Sequence, residues 1–375
     1  MTTSPSPPKP PVITTAMLLE QFWLDIFGKE VQSAATYSYL WMADQMGHIC
    51  IGLVLDFALT LVAGWVIHAL GGPAYDGNPW PADLTGVLLT ALVVSFWELK
   101  AYLASVNEAT GRFPLDRVTL RRNAVVAAAY MAVGGVVGFA FHQYAWTAIL
   151  ITVAMALVAI VLAPSWLRQK IIWQKASLPY LFRLADAKPT ISEADAQAVL
   201  DWMGRSGLPE QLVVAGPIGS GRTSLATGIG SECAFAAESV RYLSFDKLLE
   251  FSVTTRRQGD SVVYADDPGP RNIGYWSWHE AQVLVIDDIG PVVGGHDGDG
   301  TLAAFKKLLD GQLGNIQAEL GCRDSVWVIG DLAGLELNDE SQQKLQDYAD
   351  AIARFCQSQT PPVVVRLASP PVQSA

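Results

Sequence analysis

The chain has 375 residues, of which 51% are hydrophobic and only 16% charged, with a mean hydropathy of +0.27 and 12 tryptophans. Residues 1–190 carry 12 Lys and Arg against 11 Asp and Glu, whereas residues 191–375 carry 13 against 25. The acidic second half argues against a broad electrostatic grip on nucleic acid. Four scattered cysteines, Cys50, Cys233, Cys322 and Cys356, suggest neither a disulfide framework nor a zinc site.

Taken in order, residues 1–12 are rich in Pro, Ser and Thr and predict a disordered tail without a cleavable leader. Residues 13–47 predict amphipathic helices: Leu18, Leu19, Phe22, Trp23, Ile26 and Phe27 share one face, suited either to a membrane interface or to the protein's own core. Four apolar runs follow, at 51–70, 84–103, 124–141 and 144–162. Each is close to the ~20 residues that cross a hydrocarbon core. Together they predict a four-helix transmembrane domain over 48–163.

The loop 71–83 has no Lys or Arg, while 104–123 holds Arg112, Arg117, Arg121 and Arg122. By the distribution of positive charge both termini face the cytoplasm, and the expected location is a bacterial inner (plasma) membrane. Gly134 and Gly138 form a GxxxG step that permits close helix approach and oligomerisation. Asp56 is either a functional intramembrane carboxylate or a charge near the interface. Residues 164–190, with Trp166, Trp173, Tyr180 and Phe182 among basic residues, predict a linker lying along the inner leaflet.

A helix over 192–203, with Ser192 as its cap, opens the last domain, 191–368; residues 369–375 are a tail. Five short apolar runs, at 212–215, 240–244, 282–286, 325–329 and 362–366, alternate with helical stretches and predict a parallel sheet flanked by helices. Directly after the first run stands Gly216-Pro217-Ile218-Gly219-Ser220-Gly221-Arg222-Thr223-Ser224. Strand, glycine loop and helix in that order form a phosphate-binding loop, in which backbone N–H groups and a helix N-terminus hold phosphate oxygens. Arg222 replaces the usual lysine, keeping the charge but changing its shape. Thr223 supplies the hydroxyl that binds Mg²⁺.

The third run ends in Asp287-Asp288-Ile289-Gly290, about 65 residues beyond the loop. Asp287 is the candidate Mg²⁺ carboxylate and Asp288 the candidate group that orients or deprotonates the attacking water. No paired His or Cys spacing suggests another metal, and the Asp-Gly repeat at 295–300 lacks the glutamate of a calcium loop.

This combination resembles the AAA+ class of P-loop ATPases. The Asp-Asp-Ile-Gly form is similar to the helicase-loader and transposition-helper group typified by DnaC and IstB. The resemblance covers roughly residues 190–368. It implies a cytoplasmic α/β P-loop NTPase domain with a five-stranded parallel sheet in the order 5-1-4-3-2, ATP with Mg²⁺ as ligands, and assembly into a ring or filament. It also places Asp331 where a polar Asn, Thr or Ser sensor is usual, and Arg354 where an arginine finger reaches a neighbouring subunit.

The expected function is a membrane-anchored ATP-binding protein, a slow ATPase whose nucleotide state controls homo-oligomerisation and recruitment or remodelling of a protein partner at the bilayer. Alternatives are a nucleotide-sensing signalling or defence protein with a transmembrane pore, and a membrane-tethered DNA motor. The acidic balance makes nucleic acid an unexpected partner.

Overall fold

A computed structural model divides the chain into two compact units, residues 35–110 with 114–167, and residues 1–34, 111–113 and 168–375. It describes all residues except 1–7, 28–36, 72–79, 108–116, 144, 181, 187–190, 206, 218, 259–260, 268–273, 290–297, 331–338 and 369–375. Within the second unit, α1 (Thr15–Phe27) leaves Leu19 and Trp23 exposed and buries Gln21.

In the first unit α2 (Tyr37–Ala69), α3 (Trp80–Asn107) and α4 (Arg117–Phe141) pack against one another, followed by α5 (Ala145–Lys175). Glycines set how closely α2 and α4 approach. A Cβ at Gly52 would lie 1.9 Å from the Met131 carbonyl oxygen, and one at Gly134 would lie 2.0 Å from that of Ile49. Only glycine lets backbones touch in this way. The outward faces are apolar, with Leu61, Trp65, Leu92, Phe96 and Trp97 all exposed.

Two expectations change here. Among the described residues three helices are long and apolar enough to cross a membrane, Gln45–Ala69, Trp80–Ala104 and Arg121–Phe141, not four. The described apolar stretch of α5, Trp146–Val158, is shorter than a span; the helix then runs through Pro164 into basic residues. Residues 37–47 are also not a separate interfacial helix, because α2 begins at Tyr37 and continues without a break.

The second unit is built on a five-stranded sheet whose strands all run parallel. Its members are β1 (Gln211–Ala215), β2 (Val240–Ser244), β5 (Val283–Ile289), β6 (Asp324–Ile329) and β7 (Val363–Arg366). The order across the sheet is β2-β5-β6-β1-β7. The chain numbers differ from the expected 5-1-4-3-2 because a hairpin absent from that expectation, β3 (Arg256–Gln258) with β4 (Ser261–Val263), takes two of them. Counted among the sheet's own five strands, the order reads 2-3-4-1-5.

β1 is buried along its whole length, as a central strand covered on both faces must be. The connecting helices are α6 (Glu193–Met203), α7 (Arg222–Phe235), α8 (Phe245–Thr254), α9 (Gly298–Gly311), α10 (Gln317–Gly321) and α11 (Asp339–Phe355). Ser192 caps α6 by accepting from the Asp195 N–H. A core of Phe245, Trp278, Phe305, Trp327, Ile352 and their neighbours fills one side of the sheet.

The segment expected along the inner leaflet instead packs into this unit. Lys170, Ile172 and Trp173 are buried, and the Trp173 indole donates to Ser231 Oγ on α7 at 3.5 Å. The Tyr242 N–H of β2 donates to the Ala176 carbonyl at 2.9 Å. Arg183 grips Glu232 of α7 with both arms of its guanidinium, at 2.8 and 2.9 Å. Basic and aromatic residues suit a lipid headgroup layer, but here Trp173, Lys175 and Arg183 find specific partners on the protein.

Candidate functional site: the glycine loop and its acidic neighbours

β1 carries its buried chain to Ala215, and the loop turns at the strand's carboxyl end. Gly216 has no room for a side chain: a Cβ there would sit 2.7 Å from Ser220 Oγ and 2.8 Å from the Leu367 Cβ. Gly219 and Gly221 adopt φ of +80° and +87°, a conformation in which other residues are strained. Open space lies on the side where their Cβ atoms would project. The Ser220 N–H closes the turn on the Pro217 carbonyl at 3.2 Å. Gly221 then starts α7, whose first residues are Arg222, Thr223 and Ser224, all partly buried. The result is a short cradle of backbone N–H groups at a helix N-terminus, the arrangement that suits an anion. Ile218 lies outside the described residues.

Two strands away, across β6, β5 presents its acids at the same carboxyl edge. Asp287 is almost fully buried. Its Oδ2 accepts from the Tyr242 hydroxyl at 2.5 Å and its Oδ1 from the Asp288 N–H at 2.7 Å. Burial, followed by the bond to Asp287, pushes the Tyr242 hydroxyl far up, so it stays a donor. The β5–β6 register breaks between Ile286 and Ile289, and Asp288 occupies the resulting bulge with φ of +59°. The bulge turns the Asp288 side chain outward while Asp287 stays inward. Burial raises the Asp288 carboxyl above its ordinary value, the Asp287 charge adds to this, and the Arg222 cation opposes it.

Arg222 therefore stands within electrostatic reach of Asp288. Its Nη1 donates to the Ile329 carbonyl at the end of β6, at 3.0 Å. Loop, β6 terminus and acidic pair thus form one constellation. Ser224 carries a further contact, 3.0 Å between its Oγ and the Tyr180 hydroxyl.

Arg354 is not part of that constellation within one chain. It is exposed in the last turn of α11, its Nε donating to the Asp350 carbonyl at 3.2 Å. The chain passes from there to the first residues of β7, the edge of the sheet opposite the loop. Asp331 lies outside the described residues, as do Gly290 and the start of the Asp-Gly repeat. Sequence reasoning missed Tyr242, Tyr180 and the Ile329 carbonyl. Tyr242 sits in an ordinary strand pattern, and nothing local to it signals a partner 45 residues on.

The residues present fit a nucleoside triphosphate with a divalent cation. The loop offers N–H donors with free space before them, and an Asp287 carboxylate that already accepts two bonds retains lone pairs for a hydrated ion. No family model matches the chain, and no curated protein matches it. Among solved structures it is similar to AMPPCP-bound DnaA from Aquifex aeolicus, at 17% identity and a TM-score of 0.30, covering 51% of each chain. It is also similar to the DnaC helicase loader, at 12% identity and 0.30, covering 52% of this chain and 98% of that one. For DnaI the figures are 12% and 0.27, with 54% and 92% covered. The chain spans about half the length of the DnaA chain.

Proposed function

We propose that the chain is a membrane-anchored ATP-binding protein of the AAA+ type, with slow hydrolysis that governs homo-oligomerisation and the recruitment of a protein partner. The observation that carries the reading is the shared carboxyl edge of the sheet, where the Gly216–Ser224 loop and the Asp287–Asp288 pair flank the end of β6.

In this reading the N–H groups of Gly219 to Thr223 hold the phosphates, and the Thr223 hydroxyl and Asp287 hold Mg²⁺ through its water. The bound ion neutralises charge on the phosphates. Arg222 leaves the Ile329 carbonyl to meet the outer phosphate. Asp288, whose carboxyl burial raises above its ordinary value, orients and accepts a proton from the attacking water. Arg354, exposed and remote from its own loop, serves the loop of a neighbouring copy. Asp331, which follows β6 in the sequence, serves as the polar sensor. The exposed apolar faces of α2, α3 and α4 support residence in a lipid bilayer.

The test is nucleotide affinity of the full-length protein in detergent, measured with a fluorescent ATP analogue. Arg222→Ala should weaken binding about tenfold or more, the ~1.4 kcal/mol of one charge-assisted contact. Unchanged affinity in that variant, or no saturable binding by the parent protein, would overturn the reading.

A further inference from the structure

The helical unit encloses a set of polar side chains that anchoring alone does not explain. Asp56, near the middle of α2, is fully buried, and neither of its carboxylate oxygens has a hydrogen-bond partner among the described residues. Thr60 of α2 and Thr90 of α3 are buried with equally unpartnered hydroxyls. Gly138 of α4 leaves the space that Asp56 fills, since a Cβ there would come within 2.5 Å of its Oδ2. One helical turn further on, just beyond α4, His142 Nδ1 lies 3.7 Å from Oδ1 of the buried Asp83 on α3, and Gln143 Nε2 donates to Asp83 Oδ2 at 3.3 Å. His142 is the outermost member, with 24% of its side chain exposed, and its ring packs on Phe57 with centroids 4.9 Å apart.

An ionised carboxylate in such surroundings, with no donor on either oxygen, is strongly disfavoured, and the group relieves the cost by taking a proton. The titratable groups that face Asp56 are His142, from the end of α4, and Asp83, from α3. Among the described residues no three His, Cys, Asp or Glu side chains are grouped to hold a metal ion. A single proton removes the charge from Asp56 without calling on further ligands.

We infer that Asp56 is a proton-binding site inside the helical unit, loaded from the end of the bundle where His142 is partly exposed. A proton on His142 Nδ1 passes to Asp83 Oδ1, leaving a neutral imidazole and a neutral carboxyl. Asp56, within electrostatic reach of both His142 and Asp83, takes up that proton, and Asp83 returns to its carboxylate. This site rests on the proposed residence of α2–α4 in a bilayer.

The test uses the full-length protein in lipid nanodiscs and dicyclohexylcarbodiimide, which joins a protonated carboxyl to form a stable N-acylurea. Peptide mass mapping should place the adduct on Asp56, with labelling that falls as pH rises and is indifferent to sodium. The infrared carbonyl band of a protonated carboxyl should disappear in Asp56→Asn and persist in Glu98→Gln. An Asp56 that stays unlabelled at every pH, or a band unchanged in Asp56→Asn, would overturn the inference. Protection of Asp56 by sodium at fixed pH would replace the proton with a cation. Should Asp56→Asn fail to fold, labelling of the unaltered chain decides alone. Alkaline extraction of native membranes separates the two readings: protein released by alkali defeats membrane residence, whereas retained protein with an unreactive Asp56 defeats only the proton site.

Discussion

The two units place polar and apolar groups in opposite ways. In the sheet-containing unit, the buried Arg323 is wrapped in partners. It donates to the carbonyls of Trp278 at 2.6 Å and His279 at 2.8 Å, and also to that of Glu319. Gln211, Ser325 and Trp327 close a small network within the sheet, with the indole 3.1 Å from Gln211 Oε1. In the helical unit the arrangement inverts. Trp65, 72% exposed, and its neighbours form the outer surface, while Asp56, Thr60 and Thr90 sit inside without hydrogen-bond partners among the described residues. A polar group buried under water-facing surface must be satisfied or the fold loses several kcal/mol. A polar group enclosed by the faces of membrane-spanning helices is instead expected to serve a function. The contrast is the one that the proposed membrane residence of α2, α3 and α4 would produce.

The largest effect is expected where the sheet-containing unit depends on a satisfied charge. Arg323→Ala strands the carbonyls it serves and should cost about 3–5 kcal/mol, comparable to breaking a buried ion pair; the loss is read from chemical unfolding of the full-length protein. Next comes the outer face of the helical unit. Leu61→Arg should cost about 3 kcal/mol if that face meets lipid, since arginine near a span centre is disfavoured by that amount. The check is the fraction of protein recovered in membranes. A face that meets water instead would leave recovery unchanged and dissolve the contrast drawn above.

A smaller change sharpens the same contrast from within. Gly138→Ala pushes a methyl against Asp56 and should cost about 1–3 kcal/mol through overpacking, seen as a lower melting temperature of the helical signal. The smallest effect belongs to the bulge in β5. Asp288→Gly relieves a positive φ and should stabilise by about 1 kcal/mol. Because the folded state holds the Asp288 proton above the ordinary value of 3.8, ionisation weakens the fold as pH rises past that point. The gain from Asp288→Gly is therefore greater at neutral pH than in acid. Thermal unfolding at two pH values reads both the sign and the difference.

Much of the sheet-containing unit was legible because its signals are local. An apolar run before Gly216, and another before Asp287, each report a buried strand whose carboxyl end meets the loop edge. The hairpin over 256–263 was not legible, since three-residue strands carry too little periodicity. The stretch after residue 164 misled for a physical reason: arginine and tryptophan serve lipid headgroups and protein partners equally well. Only Glu232, nearly fifty residues further on, reveals that Arg183 belongs to α7. Arg222 was legible as a cation at the loop. Its rest position on the Ile329 carbonyl was not, because β6 is brought alongside only by the fold.

One consequence of the α7 packing concerns how this chain can vary. Gly228 lies against the Leu184 Cα, where a Cβ would approach to 3.2 Å, and a Cβ at Gly230 would meet Leu178 at 2.8 Å. The helix that begins at the phosphate loop is thus moulded to a stretch of chain far upstream. Sequence drift in the two places is expected to be coupled: bulk gained at 228 or 230 survives only with bulk lost at 184 or 178. A library randomised at these four positions and selected for folded protein would show that reciprocal pattern in its survivors.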